Sequence, residues 1–163
     1  MNEATMPATT ARRPARPRHP AVPPLPAPDL MDETHREIAQ VLEQMERLAK
    51  LLASPAQQAQ AGELATRACS FFNGPARAHH LAEETQVFPQ LLAGHDTDVR
   101  AQVQRLQQDH NWIEEDWLEL EPQLQAVARG EHPDTKDFLR PALAEFTSLY
   151  REHLAVEEAL LHR

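Results

Sequence analysis

The stretch Ala78-His79-His80-Leu81-Ala82-Glu83-Glu84-Thr85-Gln86-Val87-Phe88-Pro89 decides how the chain is read. An α-helix completes a turn in 3.6 residues, so His79 and Glu83 project from one face, one above the other. An imidazole over a carboxylate is half of a metal site. The spacing recurs at His153 and Glu157, and single histidines stand at His35 and His110. These four histidines are 44, 31 and 43 positions apart, so the order His, His-x3-Glu, His, His-x3-Glu reads as one helical hairpin used twice.

The rest of the chain suits helices. At 163 residues it reads as one domain. It is rich in Ala, Leu, Gln and Glu, and its four glycines and few β-branched residues disfavour strands. Each expected helix carries an apolar line in steps of three and four. The first begins near Asp29 as N-cap and runs His35, Ile38, Leu42, Met45, Ala49, Leu52, ending at Ser54-Pro55. The second covers about 57 to 93, with a break expected at Asn73-Gly74-Pro75, and runs Phe72, Ala76, His79, Glu83, Val87. After a turn over 94 to 97, the third spans about 98 to 129 through Val99, Val103, Leu106, His110, Ile113, Trp117, Leu120, Leu124 and Val127. Pro122 should bend it or end it early, and Gly130 is a natural stop. The fourth starts between Asp137 and Pro141 and runs Leu139, Ala142, Phe146, Tyr150, His153, Glu157, Leu160.

Four helices with short connections predict an all-α, up-down-up-down four-helix bundle over residues 29–163. Counting about 1.5 Å per residue from the shared turn, His110 and His153 lie at roughly 27 and 24 Å, one level of the bundle. Residues 1–28 hold eight prolines and read as a disordered Pro/Arg-rich arm. That arm carries Arg12, Arg13, Arg16 and Arg18 against Glu3, a balance of +3. The overall charge of −9 thus leaves −12 on the remainder. An acidic body argues against nucleic acid as partner. No apolar run is long enough to cross a membrane and none follows the basic start as a leader would. Cys69, the single cysteine, excludes an internal disulfide or a thiolate-held cluster, and a reducing, cytoplasmic setting is the simplest expectation.

A lone histidine on an apolar face is usually a hydrogen-bonded core residue. Four on core lines at matched depth, two with Glu one turn on, are another matter. Burying them with two carboxylates is costly unless a cation pairs with them. Imidazole and carboxylate donors without thiolate suit two iron ions, with manganese or zinc less suited. Each ion would take two histidines, with Glu83 and Glu157 reaching between them and positions left for a small diatomic ligand or peroxide.

The chain resembles the hemerythrin-like, HHE cation-binding family over about residues 29–163. The likeness rests on His35, on His79-His80-x2-Glu83-Glu84 running into Val87-Phe88-Pro89, on His110, and on His153-x3-Glu157-Glu158. It implies a four-helix bundle with a binuclear non-haem iron centre. The motif places the ligand histidine nine residues before Phe88, favouring His79 over His80, as does the apolar line. The expected metal set is His35, His79, Glu83, His110, Glu114, His153 and Glu157, Glu114 entering as an extra ligand or a supporting group because, beside Ile113, it flanks the core line. Glu84 and Glu158 read as surface acids, Glu158 being the runner-up on the last helix. His19, His95, His132 and His162 read as solvated, and Tyr150 as core or as a donor beside the site.

Oxygen-carrying hemerythrins resemble a pattern with a second histidine four after His110, where this chain has Glu114. Four histidines and two glutamates are more similar to the di-iron domain of iron–sulfur repair proteins. Those proteins carry a cysteine-bearing N-terminal domain, whereas this chain has the proline-rich arm. The expected function is small-ligand binding or sensing (oxygen, nitric oxide or peroxide) or iron handling. The alternative is a di-iron oxidoreductase or repair protein acting in oxidative or nitrosative stress.

Overall fold

The computed structural model describes residues 28–131 and 138–162. The expected arm therefore lies outside the described residues save for Pro28, as does His132. Among the described residues every regular element is helical: α1 (Pro28–Leu51), a 3-10 turn (Pro55–Gln57), α2 (Gln58–Asn73), α3 (Pro75–Ala82), a π turn (Glu83–Val87), α4 (Phe88–Leu92), α5 (Thr97–Ala128) and α6 (Arg140–Leu161). From α2 to α4 the chain forms one interrupted rod. That rod packs on α1 and α5, and α6 packs on α5 and α1, closing a four-rod bundle.

The boundaries follow from local chemistry. Proline opens α1 at residue 28, where its missing N–H costs nothing, so Asp29 lies inside the helix rather than before it. Gly74 leaves helical geometry at φ −123° and ψ −89°, and Pro75 restarts the rod as α3. Asp96 caps α5, its Oδ1 accepting from the N–H of Asp98 at 2.8 Å and of Val99 at 3.1 Å. Gly130 terminates it at φ +78°, a conformation glycine adopts without strain.

Pro122 does not end α5, which continues to Ala128. The carbonyl deprived of its partner belongs to Leu118, a residue 57% exposed, so water can serve it. Two apolar lines also shift. Leu48 and Leu51 are buried where Ala49 and Leu52 were expected, and Leu143 replaces Ala142.

The π turn was not expected. Its wide ring closes with the Phe88 N–H bonding the Glu83 carbonyl, five residues back. Pro89 follows directly and cannot donate to Thr85. The extra residue brings Val87 and Phe88 inward together, both 2% exposed.

The apolar interior falls into two parts. A large cluster runs from Ile38 to Leu51 in α1, Ala61 to Ala76 in the interrupted rod, Ile113 to Val127 in α5 and Leu139 to Leu154 at α6. A small cap holds Met31, Val87, Phe88, Val103, Leu106 and Leu160. On every rod the expected histidine falls between its cap residues and its large-cluster residues, with His153 beside Leu154 at the boundary. The buried polar side chains thus form one layer across the bundle.

Candidate metal centre

Each rod sends its polar side chain into that layer: His35 from α1, His79 from α3, Glu83 from the π turn, His110 from α5, and His153 with Glu157 from α6. All six are buried, with Glu83 and His153 at 0% exposure. Glu83 Oε1 lies 3.2 Å from His79 Nε2 and 4.0 Å from His35 Nε2, while its Oε2 lies 3.3 Å from His110 Nε2. One carboxylate therefore faces two histidine pairs, one oxygen to each. Glu157 Oε2 lies 3.4 Å from both His35 Nε2 and His153 Nε2, and 4.0 Å from His79 Nε2. Within the pairs, the rings of His35 and His79 are 4.9 Å apart and those of His110 and His153 are 4.8 Å apart.

These short approaches are not hydrogen bonds. The Nε2 atoms of His35, His79, His110 and His153 and all four oxygens of Glu83 and Glu157 are buried without a hydrogen-bond partner. Orphaned polar atoms are rare in protein interiors because each forfeits its hydration. Burial accordingly drives Glu83, Glu157, His35, His79 and His153 toward their neutral forms. It pushes the Glu83 carboxyl up to about 7 and Glu157 well above the usual carboxylate range. It pulls His79 down to about 3, His153 to about 2, and His35 below its ordinary value. A cation among them would reverse the balance at the carboxylates, which become ionised ligands.

The donor set fits such an ion. Two groups of four side chains bring a donor atom each within 4.8 Å of one another: His35, His79, Glu83 and Glu157, and His80, Glu83, His110 and His153. Ligands about 2.1 Å from one ion at right angles lie roughly 3 Å apart, close to the spacing of the nearest donors here. Cys69 is elsewhere, packed against the large cluster, and burial pushes its thiol up to about 11. Only nitrogen and oxygen donors are gathered.

Glu114 does not join the layer. Its carboxylate pairs with the Arg77 guanidinium at the surface, with Arg77 Nε donating at 3.2 Å and both side chains more than 40% exposed. Residue 113 takes the inward place on that turn, and a cation on the neighbouring rod draws Glu114 outward. His95 and His162 are exposed, as expected.

Three residues matter more than the sequence suggests. His80, one position from His79, stacks on His110 at 4.1 Å and 21°, and its Nε2 hydrogen-bonds the buried Tyr150 hydroxyl at 2.8 Å. Glu84 accepts from His110 Nδ1 at 2.9 Å and from Gln107 Nε2 at 2.8 Å, so it is not a solvated surface acid. Asp109, only 3% exposed, places Oδ2 3.7 Å from His153 Nδ1. The doublets His79-His80 and Glu83-Glu84, and the pair Asp109-His110, were the available signal. A turn of about 100° per residue puts the chain neighbour of each layer residue (His80, Glu84, Asp109) at the seam with the next rod.

Comparison with known proteins agrees with this architecture. Part of the chain is 31% identical over 91 residues to an uncharacterized protein of Haemophilus influenzae, covering 56% of this chain and 51% of that protein, about half its length. No solved structure matches. No described helix is long and apolar enough to cross a membrane. The model of the hemerythrin HHE cation-binding domain matches residues 27–163, the span that holds all four rods and the buried layer, and the chain belongs to that family.

Proposed function

We propose that the buried layer holds two iron ions and that the protein binds or senses a small ligand there (oxygen, nitric oxide or peroxide) or handles iron. The observation that carries this reading is the set of eight orphaned donor atoms, Nε2 of four histidines and both oxygens of two glutamates, converging at one level. In this reading His35 and His79 would hold one ion and His110 and His153 the other, with Glu83 and Glu157 supplying carboxylate oxygens to both. When bound, such ions supply Lewis acidity and redox change to a small ligand at an open position. The protein's own groups keep the pair apart from bulk water and orient the imidazoles. A reducing compartment such as the cytoplasm suits the single, half-buried thiol of Cys69.

The test is metal analysis after anaerobic reconstitution with ferrous iron, joined to an electronic spectrum. Close to two irons per chain supports the reading, and fewer than about one returns the layer to a plain helical core. A second reading, an oxidoreductase or repair protein using the same centre, draws on one observation. The Tyr150 hydroxyl sits beside the layer on His80 and provides a hydroxyl donor there. Rapid mixing with peroxide or nitric oxide separates the two: repeated turnover supports the enzyme, and a single spectral change that then stops supports binding or sensing.

A further inference from the structure

The two halves of the layer have different surroundings. Behind His110, the Glu84 carboxylate accepts from Nδ1 at 2.9 Å and is itself held by Gln107 Nε2 at 2.8 Å. This leaves Nε2 as the ring's lone pair, turned toward Glu83 at 3.3 Å. Phe88 stacks on the same ring at 5.6 Å and 19°, with His80 also stacked on it, and this further restrains its rotation. Behind His153, the buried Asp109 places Oδ2 3.7 Å from Nδ1, an atom without any other partner. Among the described residues, the other half shows no such support. His35 Nδ1 has Glu158 at 4.0 Å, on a side chain 57% exposed, where water screens its charge.

We propose that Glu84 and Asp109 are positioning residues that make the His110–His153 position the tighter of two inequivalent cation positions. An outer carboxylate on an imidazole N–H fixes the tautomer, aims the lone pair and raises the ligand's basicity, and losing such a partner typically lowers metal affinity by about 10–100-fold. Glu84 acts through a formed hydrogen bond. Asp109 acts through the negative charge it places 3.7 Å from an imidazole that gains positive character on binding an ion. Arg105 Nε, 3.9 Å from the same oxygen, moderates this effect. Both effects apply to one half of the layer, so affinity divides between the halves.

The inference rests on the two-ion reading, and the experiment separates their failures. Metal-free protein is titrated with cobalt(II) by calorimetry, with d–d absorption followed in parallel, for wild type, Glu84→Gln, Asp109→Asn and His35→Ala. Wild type is expected to fill in two phases, whereas uptake of no metal ends the two-ion reading itself. Glu84→Gln is expected to weaken the tighter phase by about 10–100-fold while leaving the weaker one in place, and Asp109→Asn to do so less strongly. His35→Ala is expected to remove the weaker phase and keep the tighter. Melting of the metal-free Glu84→Gln protein within about 2 °C of wild type shows that the effect is on ion binding. Two indistinguishable phases in wild type, equal weakening of both phases in Glu84→Gln, or loss of the tighter phase in His35→Ala overturns the inference.

Discussion

Replacing Glu83 with glutamine should strengthen the metal-free protein in alkali while weakening its hold on metal. Burial pushes the Glu83 carboxyl up to about 7 from an ordinary 4.5. Below pH 4.5 the folded and unfolded chains both carry the proton, and there is no penalty. Between the two values the unfolded chain ionises and the folded one does not, so stability falls as pH rises and the loss is complete above about 7. At about 1.4 kcal/mol per pKa unit, this penalty grows by roughly 2–3 kcal/mol from pH 5 to pH 8. Glutamine has nearly the same shape and cannot ionise. The stability difference between Glu83→Gln and wild type should therefore move toward the variant by roughly 2–3 kcal/mol over that range, on the order of 5–10 °C in melting temperature for a chain of this length. Relief at Glu157, whose carboxyl Glu83 helps to push up, adds in the same direction. His79 and His153 destabilise the fold as pH falls below the ordinary histidine value, but they do so in both proteins and cancel. The assay is thermal melting of chelator-treated protein at pH 5 and pH 8, repeated with added ferrous iron. With iron the order should reverse, because the variant has lost an anionic ligand. An equal difference at both pH values would refute the claim that this carboxylate is buried without a counter-charge.

His79→Ala should lower bound iron and the melting temperature of the loaded protein together, since ions bound only by the folded state stabilise it; normal iron with unchanged melting would instead assign His80 as the ligand. Glu114→Gln should retain full metal loading and cost at most about 1 kcal/mol, as expected for an exposed ion pair with Arg77; loss of one metal equivalent would put Glu114 back among the ligands. Leu106→Ala, emptying a fully buried cap position, should cost about 2–5 kcal/mol in denaturant unfolding. A cost under about 1 kcal/mol would mean that the cap is loosely packed.

The histidine lines were legible because one period governs both packing and which side chains meet in the interior. A residue in step with Ile38, Leu42 and Met45 must face the interior, and the same count places His79, His110 and His153. Glu83 and Glu157 followed from one-turn spacing. The π turn was not legible, since Glu-Glu-Thr-Gln-Val continues a helical pattern and the shift of bonding is settled by how Val87 and Phe88 pack, with Pro89 as the local hint. Glu114 and Glu84 exchanged roles for a related reason. Position along one helix cannot say which neighbouring rod offers Arg77 and which offers the back of His110. His80 was open between ligand and surface, and its contact with Tyr150, 70 positions away, belongs to the third dimension alone.

The unequal division of the apolar interior bears on how ions come and go. Opening the bundle at the cap separates six apolar side chains and leaves the large cluster intact, so it takes far less energy than denaturation. The tips that would part are the start of α1, the end of α4, the start of α5 and the end of α6. Exchange of a bound ion would then be tied to fraying at one pole, fast beside global unfolding. A chelator should accordingly remove a bound cation while the protein's circular dichroism stays helical.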